Sequence, residues 1–202
     1  MRQTGSGWTS SVRPAYLIPY NGNTVSADWI SKTVSFESMA NHATIAISVS
    51  FNLAVPHSHI QLEGLAVYTR APFTHLYTFD PNSGNLTEQN YRASPGGIYL
   101  PPFDQPLVLA DNEGRCAIAV YLPYTNARYL AGMRLGDCSG DSNCTNQIDC
   151  NFWDYDNPPA GLYQYQCWIP TGNLEAVQAQ LRALIVAHPP TACRTIPNSC
   201  IP

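Results

Sequence analysis

Apolar and polar positions alternate along most of this chain with a period of two, the signature of half-buried strands. The clearest stretch is Val55 to Asp80. It reads as two long strands, Ser58 to Arg70 and Thr74 to Asp80, joined tightly at Ala71-Pro72. The other apolar runs read as partners for this pair. Thr33 to Met39 alternates. Ala43 to Leu53 sets Ile45, Ile47, Val49 and Phe51 on one face, after a turn at Asn41-His42. Gln105 to Ala110 and Arg115 to Leu122 read as strands around the hairpin turn Asp111-Asn112-Glu113-Gly114. Asn151 to Tyr155 and Leu162 to Ile169 follow. Turn residues stack at Pro81-Asn82-Ser83-Gly84-Asn85 and Asn157-Pro158-Pro159-Ala160-Gly161. Thr87 to Phe103, broken by Pro95-Gly96-Gly97 and Pro101-Pro102, reads as irregular.

One segment changes period. Leu174, Val177, Leu181, Leu184 and Ile185 recur at helical spacing, Asn173 suits the N-cap, and His188-Pro189-Pro190 ends the run. The pattern predicts a helix over 174–187. With about eight strands and no βαβ unit, the expected fold is mainly β: an antiparallel β-sandwich with one C-terminal helix and disulfide-stapled loops. Residues 1–30 read as an extended N-terminal arm, loop or edge strand. Residues 31–190 form the sandwich, and 191–202 a tail pinned by Cys193 and Cys200.

Composition alters the surface of this picture. Of 202 residues, 45% are hydrophobic, which suits one sizeable core, but only 12% are charged. Hydroxyl, amide and tyrosine groups must therefore cover the exterior. Net charge is −4 with no basic run, which argues against a nucleic-acid partner. No apolar run reaches the roughly 20 residues that a membrane-spanning helix needs. No signal peptide is visible, and this fits either a cytosolic protein or a mature or truncated form.

The cysteines favour the second. Cys138, Cys144, Cys150, Cys193 and Cys200 sit in polar, loop-like clusters, while Cys116 and Cys167 lie in apolar runs. Disulfides formed outside the cell are the economical account of the loop cysteines, while Cys116 and Cys167 either pair across strands or are simply buried; seven is odd, so at least one thiol is free or bridges to another chain. Zinc is the alternative, but its paired C-x2-C knuckles are missing. Asp137, Asp141, Asp149 and Asp154 match no EF-hand spacing. Neither a metal nor an organic cofactor is expected. Asn85-Leu86-Thr87 and Asn143-Cys144-Thr145 are N-glycosylation acceptor motifs and agree with secretion.

Two constellations carry candidate chemistry. His57, His59, Gln61 and Glu63 share one side of a strand, roughly 7 Å apart in succession. Such a row can hold a divalent ion with help from His75, act as acid and base on a sugar, bind glycan hydroxyls, or simply be a solvated polar face. Aromatic residues form the second group, with Tyr68, Tyr163, Tyr165 and Trp168 as a candidate sugar-stacking platform. Core packing is the plainer reading for most of them.

Several of these segments resemble a known group. They are Glu63-x-x-Ala66-Val67-Tyr68-Thr69, Leu76-Tyr77-Thr78-Phe79, Ala110-Asp111-Asn112-Glu113-Gly114 leading into Ala119-Val120-Tyr121, and Tyr163-x-Tyr165 with Gly172-Asn173-Leu174-Glu175-Ala176-Val177. Together they resemble the C-terminal half of secreted, largely uncharacterised, carbohydrate-associated β-sandwich proteins of the galactose-mutarotase-like supersandwich type, over about residues 57–186. The resemblance implies an extracellular, sugar-related sandwich in which an acidic residue on the concave sheet, Glu63 here, does the work. The chain is too short for a full supersandwich: about 50 residues stand where the N-terminal half would be, and the cysteine-rich loop is extra. A shortened sandwich can keep the scaffold and lose the chemistry. The leading expectation is therefore an extracellular structural or glycan-binding module whose partners are glycan or copies of itself. The alternative is a carbohydrate-active enzyme, a hydrolase, lyase or epimerase, using Glu63 with His57, His59 or His75.

Overall fold

A computed structural model of the chain describes residues 2–4, 7–12, 15–18, 22–25, 30–39, 43–70, 73–90, 98–99, 103–124, 129, 131–133 and 145–191. The strands within them are β1 (Arg2–Thr4), β2 (Gly7–Val12), β3 (Ala15–Ile18), β4 (Gly22–Val25), β5 (Ile30–Ser38), β6 (Thr44–Leu53), β7 (His59–Arg70), β8 (His75–Phe79), β9 (Leu86–Glu88), β10 (Ile98–Tyr99), β11 (Leu107–Ala110), β12 (Ala117–Val120), β13 (Ala131–Met133), β14 (Thr145–Asp156) and β15 (Gly161–Gly172). The helix α1 spans Leu174–Ala187.

Nine strands form one antiparallel sheet in the order β1-β2-β5-β6-β15-β12-β11-β8-β9. Four form a second, β10-β13-β14-β7, and β3-β4 make a separate ribbon. The first 30 residues thus supply the edge strand β1, its neighbour β2, and the ribbon.

The part of the large sheet that lies under α1 is buried on both faces. One face carries Ile47, Val49, Phe51, Leu76, Leu107, Leu109, Val120 and Tyr165, which share a core with Leu62, Ala131 and Ile148 of the small sheet. The other carries Phe79, Val108, Ala110, Ala119, Tyr121 and Trp168, under Val177, Leu181 and Leu184 of α1. This double burial explains the unbroken apolar run Leu107-Val108-Leu109-Ala110: successive side chains serve different cores, so alternation disappears. Each large apolar side chain buried this way contributes about 1.5–3 kcal/mol.

The helix follows its sequence pattern. Asn173 Oδ1 accepts from the Ala176 N–H at 2.7 Å, and the Leu174 N–H donates to the Gly114 carbonyl at 2.8 Å. At the other end the His188 N–H donates to the Leu184 carbonyl at 2.7 Å, and the His188 ring stacks on Trp168 with centroids 4.3 Å apart. Tyr121 Oη donates to the His188 carbonyl.

Three expectations need correction. The Val55–Asp80 strands are not a hairpin: β7 pairs with β14, whereas β8 pairs with β11 and β9 in the other sheet. The two strands lie in different sheets that face each other: Leu62 of β7 and Leu76 of β8 share the core between the sheets, while Phe79 of β8 turns to the core under the helix. Second, the end of the cysteine-rich segment is not a surface loop. From Thr145 onward it is β14, paired with β7 along its length, and Asn146, Ile148 and Asp149 are buried. Third, Cys116, counted among the disulfide cysteines, is a free and exposed thiol. β12 begins only at Ala117, which leaves Cys116 in the turn, its N–H donating to Asp111 Oδ1 at 3.2 Å. Cys167 is buried and disulfide-bonded. Cys138, Cys144, Cys193 and Cys200 lie outside the described residues, as does the side chain of Cys150.

Candidate functional site

The most developed polar arrangement lies at the open end of β8. By strand periodicity His75, Tyr77 and Phe79 share the helix-facing side. Phe79 is fully buried below α1, Tyr77 is half-buried, and the His75 side chain is 33% exposed. The face therefore opens away from the helix. The register sets Glu88 of β9 opposite Tyr77, on this same face.

His75 is held from both sides. Its Nδ1 lies 2.5 Å from Glu88 Oε1, and its Nε2 lies 3.1 Å from Asn112 Oδ1. Thr74 Oγ1 donates to the same Asn112 oxygen at 2.5 Å. The Tyr77 ring stacks on His75 at 6.5 Å and 24°. Burial pushes the Tyr77 phenol above its ordinary pKa, and the Glu88 carboxylate adds to the shift. An imidazole against a carboxylate can relay a proton, and the carboxylate, amide and hydroxyl together can bind vicinal hydroxyls.

A groove of about 920 Å³ adjoins this cluster. Asn85, Leu86 and Thr87 form one wall; Glu113, Gly114 and Arg115 form another; Asn173, Leu174, Glu175 and Gln178 of the helix start form the third. Leu86 and Glu88 share a face of β9, and Asn112 directly precedes Glu113, so groove and histidine cluster are continuous along the chain. Arg115 Nε lies 3.0 Å from Glu113 Oε2, and both side chains are well exposed.

The sequence candidates are spread over the molecule. His59, Gln61 and Glu63 lie on β7, opposite Asp156, Asp154 and Phe152, and their side chains fall outside the described set. His57 precedes β7; its N–H donates to the Pro158 carbonyl at 3.0 Å, and its Nε2 is shielded from solvent. His75 stands in the other sheet from this row. Among the described residues no group of three or more His, Cys, Asp or Glu side chains is placed to hold a metal ion. Tyr163, Tyr165 and Trp168 are 6%, 2% and 2% exposed and serve the two cores instead of forming an outer platform. Tyr68, on β7, is 62% exposed and does face solvent. Asn85 is exposed at the groove edge; Asn143 lies outside the described residues.

Glu88 and Asn112 are the site residues that sequence reasoning missed. A signal existed. The turn at 81–85 makes a hairpin, and counting back across it sets Glu88 against Tyr77.

No family model matches the sequence, and no curated protein matches it. Solved structures similar to the chain include the alpha-galactosidase from Lactobacillus brevis, with 13% identity, a TM-score of 0.46, and coverage of 72% of this chain and 21% of that one. A putative aldose 1-epimerase from Escherichia coli K12 gives 8% identity and a TM-score of 0.46, covering 86% and 68%. The galactosidase domain of an alpha-galactosidase-sucrose kinase gives 8% and 0.41, covering 82% and 27%. The chain thus spans about a fifth of the first of these proteins. These likenesses are distant, and the chemistry of the site rests on the chain's own residues.

Proposed function

We propose that the chain is an extracellular glycan-binding β-sandwich module, and that its site is the groove ending in the His75–Glu88–Asn112 cluster. The carrying observation is the His75 ring fixed between a carboxylate and an amide, with Tyr77 stacked beside it. Acceptors and donors at fixed spacing beside a ring suit a sugar, which offers adjacent hydroxyls and an apolar C–H face. Glu88, Glu113 and Glu175 outnumber Arg115 around the site, so a neutral saccharide suits it better than an anionic one. The low charge, the acceptor motifs at Asn85 and Asn143, and the disulfide at Cys167 support an oxidising, extracellular setting. Stapling of the cysteine-rich loops belongs to the same proposal. So does assembly with a second copy through the exposed Cys116, which non-reducing electrophoresis and light scattering check.

A glycan array followed by calorimetry tests the binding reading. Glu88→Gln and Asn112→Ala are each expected to weaken binding about tenfold, the effect of losing one good hydrogen bond. Unchanged affinity in both variants removes the site from this cluster. A second reading, an enzyme acting on carbohydrate, is favoured by the imidazole–carboxylate contact at 2.5 Å. Turnover of polysaccharide or sugar epimers that disappears in Glu88→Gln supports it with His75 as the base. Loss in Glu63→Gln alone moves the chemistry to β7.

A further inference from the structure

We infer that Asn85 carries an N-linked glycan whose first sugars lie in the groove, so that the module's own modification occupies its binding site. The inference rests on the glycan-binding reading of that groove and adds its regulation.

Three observations converge on Asn85. It is the acceptor of an Asn-x-Thr motif, and both Asn85 and Thr87 are exposed. Both line the groove. The Asn85 amide makes no hydrogen bond among the described residues, while the backbone around it is held tightly. The Asp80 N–H donates to the Asn85 carbonyl at 2.9 Å, and the Asn85 N–H donates to Ser83 Oγ at 3.3 Å. The preceding Gly84 carbonyl is tied to α1 by Gln178 and Arg182. A sugar chain leaving Asn85 Nδ2 therefore starts from a fixed point on the groove wall. It meets Gln178, Glu175 and Asn173, which offer amide donors and acceptors for an N-acetyl group and hydroxyls. The groove volume of about 920 Å³ lies within the range of ligand-sized pockets.

The covalent step is the general one for such motifs. Asn85 Nδ2 attacks the anomeric carbon of a lipid-linked oligosaccharide pyrophosphate. The N–C1 bond forms, the C1–O bond to pyrophosphate breaks, and the amide proton leaves. Once attached, the sugar is present at an effective concentration on the order of millimolar, so it competes with weakly held free saccharide.

The test compares the full chain made in a eukaryotic secretory host, before and after enzymatic removal of N-glycans, with the same sequence made unmodified in an oxidising bacterial periplasm. Mass analysis of the Asn85 peptide reads occupancy. Hydrogen exchange of residues 112–115 and 173–178 reads groove contact. Calorimetry with free diacetylchitobiose, the disaccharide at the root of N-glycans, reads access. The expected result is a modified Asn85 peptide, slower exchange in both segments that reverses on deglycosylation, and chitobiose binding at least about tenfold weaker in the glycosylated protein. An unmodified Asn85 peptide, or a modified one with unchanged exchange in both segments, overturns the inference. If the unmodified protein binds no saccharide on the array, the glycan-binding reading fails instead, and the exchange comparison still decides whether the attached sugar fills the groove.

Discussion

Gly84 illustrates how much a single position can hold. Its φ of +70° is left-handed, and its carbonyl receives Gln178 Nε2 at 2.8 Å and Arg182 Nε and Nη2 at 3.1 and 2.9 Å. A Cβ there would sit 2.6 Å from Arg182 Nε. Gly84→Ala therefore meets both backbone strain and a displaced guanidinium, and should cost about 1–2 kcal/mol. Arg182→Ala keeps the backbone and the Gln178 bond, and should cost about 1 kcal/mol. Urea unfolding of the two variants checks the order. Equal losses would mean that the conformation of Gly84 contributes nothing of its own.

At the scale of elements, α1 and the β8–β9 hairpin are two halves of one docked unit. The helix caps itself through Asn173, bonds the 112–116 turn through its first N–H, and grips the 80–85 turn through Gly84. Gln180 adds a further tie: its Oε1 accepts from Thr44 Oγ1 at 2.6 Å, and its Nε2 donates to the Thr171 carbonyl at 3.0 Å. Leu181 is fully buried against the large sheet, so Leu181→Ala should destabilise by about 2–5 kcal/mol, whereas Asn173→Ala should cost about 1 kcal/mol. Thermal unfolding with a calorimetric readout separates the two. Because the groove lies between these elements, loosening α1 should also open the site.

Among the described residues the small sheet, the large sheet and the helix stack as three layers, with the β3–β4 ribbon apart. The interior holds tyrosines as well as aliphatic side chains, and the hydroxyls of Tyr121, Tyr124, Tyr129 and Tyr163 bond the backbone. Tyr124 Oη accepts from the Gln166 N–H at 2.8 Å, while Tyr129 Oη bonds the N–H and carbonyl of Leu122 at 2.9 and 3.1 Å. Burial pushes the Tyr124 phenol from 10.0 up to about 12, and pushes Tyr121 and Tyr129 further in the same direction. Folding thus favours the neutral phenols. Their contribution is fully present below pH 10 and is lost as pH rises toward 12. Alkaline unfolding should accordingly begin above pH 10 and coincide with tyrosine ionisation. Ultraviolet and circular dichroism titrations that separate, with phenols ionising in folded protein, would contradict this burial.

The amino-acid pattern alone determined the β class, the limits of α1, its Asn173 cap and the hairpin turn at 111–114, because each depends on residues within a few positions of one another. Period-two alternation also marked most strands. Pairing was another matter. Whether β7 joins β8 or β14 depends on which sheet each strand enters, a long-range choice that local pattern does not contain. The same reason hid the site: His75, Glu88 and Asn112 come from three separate segments, and only the register of β8, β9 and β11 brings them within hydrogen-bond reach. The aromatic residues Tyr163, Tyr165 and Trp168 show the converse, since a ring-rich strand looks alike in sequence whether it faces a sugar or a second sheet. Tertiary packing decided that they fill the interior.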